Sequence, residues 1–337
     1  MTRSPGPPMR IAIAGASSLL GREITVLLSS SSLPAHELRL LDDAQLDGTL
    51  TEAGGEPGVI RGLKPDSFDG VGLVFFAGLR EFATRHWADA QRAGAAVVDL
   101  SGAMAGVRNA AVSIPSLDAR LGSLRPPDPT LFRCPGAAAI VAATLSVGLR
   151  DFPVRRLAAT FLHPVSELGQ AGIDELESQA TSLLSFQPFA REVFDAQAAF
   201  NLLERFGESS PIRLEDLREL VTRDVSDFLG YRAPMPAVEV VQAPVFYGAA
   251  FSVFAEFEGS FPKQALEESL RQVGVVTGPD SPSNATAAGS AEIAVTLRND
   301  GNLPMSWWIW GAVDNVRLAA QNAVRIAEHV AQATRER

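Results

Sequence analysis

The sequence predicts an α/β protein with one domain built on a parallel sheet and a second, α+β domain whose sheet is mixed or antiparallel. Three observations carry this. A short apolar run at 10–14 passes through a glycine-bordered turn, 15–21, directly into a helical stretch. Runs of the same kind at 72–77 and 95–100 flank a helical segment, 80–93, and such alternation points to parallel strands with helical crossovers on both faces. Beyond residue 150 the strands lengthen, as at 156–165, 237–247 and 250–257. Their apolar residues fall at every second position, the mark of a sheet with one covered face.

A length of 337 residues suits two domains. Residues 1–8, with three prolines, read as a disordered tail. The first domain takes 9–135 and regains 312–337; the second takes 136–311. Within the first, a second strand at 37–41 ends at Asp42-Asp43, and Pro126, Pro127 and Pro129 mark a loop before the stretch 132–141 that joins the two domains. A buried helix follows to 149. Helices are expected at 169–184, 214–229 and 262–273, and 237–247 with 250–257 reads as an antiparallel pair around Gly248. A flexible loop at 277–290, strands at 292–297 and 306–310, and a long closing helix from 312 complete the chain. Asp314-Asn315 reads as that helix's start signal. Trp307 and Trp308 face opposite ways on the last strand, so Trp307, Trp308 and Trp310 read as core or contact residues rather than a ligand platform.

A net charge of −10 would repel a phosphate backbone, so nucleic acid is not an expected partner. The longest apolar run, 136–149, is too short to span a bilayer, and no membrane partner is expected. One cysteine rules out an intrachain disulfide and makes a cytoplasmic location the expectation.

The turn 15–21 has the context of a dinucleotide-binding loop. Gly15 permits the turn, Ala16, Ser17, Ser18 and Leu19 lead into a helix whose first N–H groups suit a pyrophosphate, and Gly21 lets helix and strand approach. Ser18 stands where the usual middle glycine is missing. A plain β–α turn is the bare alternative. Asp42 lies about 20 residues past the last glycine, where an acid commonly holds a ribose hydroxyl. With Asp43 beside it, NAD is favoured over NADP as a cofactor; a solvated acidic turn is the other reading.

The order of motifs resembles the aspartate-semialdehyde dehydrogenase family. It is carried by Gly15-Ala16 with Gly21, by Asp99-Leu100-Ser101, by Val165-Ser166 with Gly169, Gly172 and Glu175-Leu176, by Phe200-Asn201, by Pro244 to Gly248, and by Asp314-Asn315 with Asn322. The resemblance implies a Rossmann-type domain, an α+β domain that makes a homodimer through its sheet, and NAD(P)-dependent reduction of an acyl phosphate through a cysteine thioester. It also implies where the chemistry should sit, and there this chain departs from it. The nucleophile position holds Ala137, or Ala139 if the register shifts by two. The histidine position holds Ala249, the substrate-arginine position Gln242, a second arginine position Ala105, and a glutamine position His163. Glu215 and Arg218 match a Glu-x-x-Arg pair at the substrate. Removing one nucleophile from a covalent mechanism costs roughly 10⁶ in turnover, about 8 kcal/mol of barrier, so the family reaction is expected to be absent. The alternative is relocated chemistry on Cys134, the only thiol, with His163; a small buried filler and a satisfied sheet residue are their plainer readings.

Overall fold

The computed structural model describes residues 9–33, 35–53, 56–122 and 130–335. The expected tail at 1–8 and the prolines at 126–129 lie outside the described residues. The chain forms two compact units, 1–115 with 123–135 and 319–337, and 116–122 with 136–318.

The first unit contains β1 (Met9–Ala14), α1 (Leu19–Ser29), β2 (Ala35–Asp42), β3 (Leu50–Ala53), β4 (Glu56–Val59), β5 (Arg61–Gly62), β6 (Leu73–Phe76), α2 (Arg80–Arg92), β7 (Ala96–Asp99), β8 (Ala111–Val112) and β9 (Leu131–Arg133). Seven strands form one sheet in the order β5-β2-β1-β6-β7-β9-β8, with every ladder parallel. β3 and β4 make a separate antiparallel pair. Both faces of the sheet are covered, which is why β6, and β1 beyond Arg10, read as apolar without alternation. Ile11, Ile13, Leu73 and Phe75 pack with Ile24, Leu27 and Leu28 of α1 and with Ala320, Ala323 and Val324 of the C-terminal helix. Ala12, Ala14, Val74 and Phe76 point the other way and pack with Phe82, Ala83 and Ala90 of α2.

Two glycines allow α1 to start where it does. A Cβ on Gly21 would lie 2.3 Å from the Gly15 carbonyl oxygen. Gly15 has φ +90°, and a Cβ there would lie 2.2 Å from the Gly78 nitrogen after β6. Three backbone segments are thus in direct contact at the C-terminal ends of β1 and β6.

The second unit contains most of α3 (Pro115–Leu121), then α4 (Ala137–Leu149), β10 (Val154–His163), α5 (Gly169–Leu184), α6 (Leu214–Leu229), β11 (Ala237–Gln242), β12 (Ala249–Phe257), α7 (Lys263–Arg271), β13 (Val275–Thr277), α8 (Asn284–Ala287), β14 (Ile293–Asn299), β15 (Ser306–Val313) and the start of α9 (Asn315–Arg335). Its sheet runs β11-β10-β12-β15-β14-β13. The β10–β11 and β13–β14 ladders are parallel and the others antiparallel. The sheet is therefore mixed.

The expected pairing of β11 with β12 does not occur, because β10 lies between them. Residues 243–248 are not a tight turn: Ala243 N–H donates to the His163 carbonyl, Val165 N–H to Val245 O and Ser166 N–H to Phe246 O. The segment so crosses the end of β10 and returns on its far side. The expected loop at 277–290 contains α8, closed by a capping box between Ser283 and Thr286. β15 runs on to Val313, which moves the start of the last helix from 312 to Asn315; there the Asp314 carboxylate accepts Arg317 N–H at 3.0 Å.

All thirteen residues of α4 are buried, as expected of a helix apolar all round; it packs against α6, α7 and β10. One face of the sheet carries Leu157, Ala159, Phe161, Phe251, Val253 and Ile309 into the core. The other is half-exposed and carries Leu162, Phe254, Trp308 and Trp310, with the Phe254 and Trp308 rings 5.1 Å apart. Trp307 is buried and Trp310 is 37% exposed, as the alternation on this strand requires.

Because Gly21 has backbone on all sides, Gly21→Ala is expected to lower the stability of the fold by about 1–3 kcal/mol, read as a shift in the urea midpoint. Gly106→Ala, where a Cβ meets nothing within 4 Å, is the control and should shift it far less.

Candidate functional site

The glycine turn of the first unit is held by its own polar groups. Gly15 and Ala16 N–H both donate to the Leu41 carbonyl, at 2.9 and 3.1 Å. Ser17 N–H donates to one Asp42 carboxylate oxygen at 2.8 Å, and Asp43 N–H to the other at 2.9 Å. Ser18 is the N-cap of α1: its hydroxyl donates to the Ala77 carbonyl at 2.8 Å and accepts Gly21 N–H at 2.9 Å. The absence of the middle glycine is thereby explained. The Ser18 side chain takes the Gly21 N–H and leaves those of Leu19 and Leu20. Leu19 and Leu20 open the helix, where N–H groups have no intrahelical acceptor. These residues fit a pyrophosphate at the start of α1.

Two further positions in this unit concern chemistry. Asp99 is buried, and its carboxylate accepts Ser101 N–H, Ser101 hydroxyl and Met104 N–H at 2.9, 2.5 and 2.8 Å. Burial outweighs these bonds and holds its carboxyl above the usual range. Asp99 thus shapes the turn that leads to Ala105, whose carbonyl accepts from the Arg133 guanidinium at 2.9 Å. Cys134 is buried in the core of this unit; its thiol lies 3.5 Å from the Ala319 carbonyl and accepts the Asn322 amide at 3.3 Å. The same amide donates to Ser113 O at 2.9 Å. The sulfur is enclosed by α9, a setting that matches the filler reading of a free cysteine.

In the second unit, α4 begins at Ala137 with Gly136 as N-cap. Its first turn presents Ala137, Ala138 and Ala139, all buried. A helix N-terminus is a place where a thiol becomes a thiolate; here only methyl groups occupy it. His163 and Gln242 end neighbouring strands and are register partners. The Gln242 amide donates to the His163 and Ala243 carbonyls at 2.9 and 3.0 Å. Both His163 ring nitrogens and the Gln242 amide oxygen have no partner among the described residues. Burial pushes the imidazole pKa down, against a smaller upward pull from Glu167. Ala249 is buried at the start of β12. Just before it, Gly248 N–H donates to Asn315 Oδ1 at 3.1 Å, and Asn315 Nδ2 donates to the Ser166 hydroxyl at 3.1 Å.

The sequence marks Asn315 as a helix-start residue and as part of a family motif. Its tie to Val165-Ser166 and to the 244–248 turn was missed, though all three belong to the motifs singled out. Glu215 and Arg218 are not joined by a hydrogen bond or ion pair. Arg218 instead donates to Glu239 on β11 at 2.8 Å, and this partner raises its pKa, while Glu215 lies 3.9 Å from Arg213.

Two family models match: semialdehyde dehydrogenase, NAD binding domain, over residues 10–121, and semialdehyde dehydrogenase, dimerisation domain, over residues 148–318. Among curated proteins, a USG-1 protein homolog of Pseudomonas aeruginosa is 32% identical over 95% of this chain and 97% of its own. An aspartate-semialdehyde dehydrogenase of Prochlorococcus marinus is 27% identical over 96% of each chain. Among solved structures, a probable aspartate-semialdehyde dehydrogenase from Pseudomonas aeruginosa superposes with a TM-score of 0.85 at 30% identity, covering 96% of this chain and 98% of that one. No helix among the described residues is long and apolar enough to cross a membrane.

The buried imidazole makes a pH response expected. Its folded pKa is depressed, so the unfolded chain takes up the proton first, at about pH 6.5. Stability held above that pH is lost as the pH falls towards the folded value. The urea midpoint should therefore drop more between pH 7.5 and 5.5 for the wild-type chain than for His163→Gln; equal drops would place the acid sensitivity elsewhere.

Proposed function

The chain belongs to the semialdehyde dehydrogenase family, and from that premise we propose that it is a dimeric, dinucleotide-binding member that does not carry out the family's acyl-phosphate reduction. The observation that carries the reading is the first turn of α4. In either register of the alignment the nucleophile position falls on an alanine, Ala137 or Ala139, and both are buried. Ala249 at the histidine position has no group to move a proton, and Gln242 at the arginine position is neutral, with its amide protons already given to two carbonyls.

A nicotinamide dinucleotide, when bound, would supply a hydride donor or acceptor. This chain's own part would be to hold it. The Leu19 and Leu20 N–H groups at the start of α1 would receive the pyrophosphate, Ser18 caps only Gly21 N–H, and the acids at the end of β2 favour NAD over NADP. The half-exposed sheet face with Leu162, Phe254, Trp308 and Trp310 supports assembly of two copies, since aromatic residues at such density favour a partner over water.

Two measurements test this. Oxidation of aspartate semialdehyde with phosphate, followed as NADH or NADPH absorbance, should not rise above the uncatalysed rate. Turnover on the order of 1–10³ s⁻¹ would end the proposal. Sedimentation at micromolar concentration should give twice the chain mass, and Trp308→Arg should shift it towards the monomer; an unchanged dimer would move the contact off this face.

A further inference from the structure

We infer that the two acids at the end of β2 have separate duties: Asp43 selects the ribose end of a dinucleotide, and Asp42 is a positioning residue that holds the glycine turn. The inference rests on the dinucleotide reading above and deepens it.

Sequence position alone points to Asp42, the first of the two acids, which ends β2. The geometry points one residue further on. Asp42 is only 8% exposed. Each of its carboxylate oxygens is engaged by a backbone N–H, from Ser17 and from Asp43. Together with the two N–H groups donated to Leu41 O, it fastens the end of β2 to the turn before α1. A carboxylate used in this way fixes where the first N–H groups of α1 point, whatever the dinucleotide carries on its ribose.

Asp43 is exposed. One carboxylate oxygen caps the short helical turn 44–46 through a long contact to Gln45 N–H, 3.3 Å; the other accepts no hydrogen bond among the described residues. It therefore keeps lone pairs for the two hydroxyl donors of a ribose diol. A 2′-phosphate would bring two negative charges to the same carboxylate and would need a cation in its place. Arg39 cannot serve, because its guanidinium is already bonded to Glu37 and to the carbonyls of Ser67 and Asp69. From Arg39 the sequence offers no further lysine or arginine until Arg61.

The test is calorimetric titration of the full-length protein with NAD and with NADP, alongside thermal melting. The wild-type chain should bind NAD at least tenfold more tightly than NADP. Asp43→Asn should reduce that ratio by roughly tenfold with the melting temperature unchanged. Asp42→Asn should weaken both dinucleotides by the same factor, keep the ratio, and lower the melting temperature. A ratio that follows Asp42→Asn and ignores Asp43→Asn overturns the inference, and so does wild-type preference for NADP, which would direct attention to Arg61. NAD binding with a ratio insensitive to Asp43→Asn removes this inference alone. Binding of neither dinucleotide removes the dinucleotide reading and this inference with it. Asp43 is exposed and its variant is expected to fold, so the decisive comparison does not depend on Asp42→Asn.

Discussion

Backbone packed directly on backbone is the constraint from which the first unit follows. Gly15, Gly21 and Gly78 meet with no room for a side chain, so α1 leaves β1 at a fixed angle and lies against Ile11 and Ile13. That contact sets where the helix terminus points. Asp42 and the Leu41 carbonyl then hold the turn from the neighbouring strand, and Ser18 holds it from β6 through Ala77. The loop is anchored to the strands on either side of β1 before any ligand arrives, and such preorganisation spares a ligand part of the ordering cost of binding.

In the second unit, hydrogen bonds made by side chains tie the strand ends together. The Asn315 amide ties Ser166 to Gly248, the glycine preceding the histidine position, and the strand ends at His163 and Gln242 stay locked together through the glutamine amide. Ala137 and Ala249 are buried in the same unit, and burial pushes the His163 imidazole pKa down. Buried polar atoms without partners are costly, about 1–3 kcal/mol each. The persistence of three such atoms on His163 and Gln242 marks this as the most polar and least satisfied part of the buried sheet end.

Much of this was legible in the sequence. The apolar runs at 11–14 and 72–77 gave the parallel sheet because a strand covered on both faces needs no alternation. The glycine spacing located the turn and α1. Strand partnership in the second unit was not legible: 237–247 and 250–257 read as a hairpin because direction and polarity pattern fit one, while nothing local records that β10 lies between them. Hydrogen bonds from Ala243, Val165 and Ser166 decide it, and they join residues about 80 apart along the chain. At the candidate site, residue types at single positions were readable. The use made of a side chain was not. Asp42 and Asp43 are the same residue type in adjacent positions, and only burial and hydrogen-bond partners tell them apart; Arg218 likewise answers to Glu239 across a helix–strand contact rather than to its near neighbour Glu215.

The uniform burial of α4 has a consequence for how the protein is made. The elements that cover it most, α6, α7 and β10, lie later in the chain. A ribosome therefore releases this thirteen-residue segment, apolar but for Thr144 and Ser146, well before that cover has been synthesised. During that interval the segment is a sticky surface of the kind that chaperones shield and that aggregates recruit. A growing chain cut short before Leu214 would retain that hazard permanently, so quality control of truncated products bears on this helix more than on any polar-faced one.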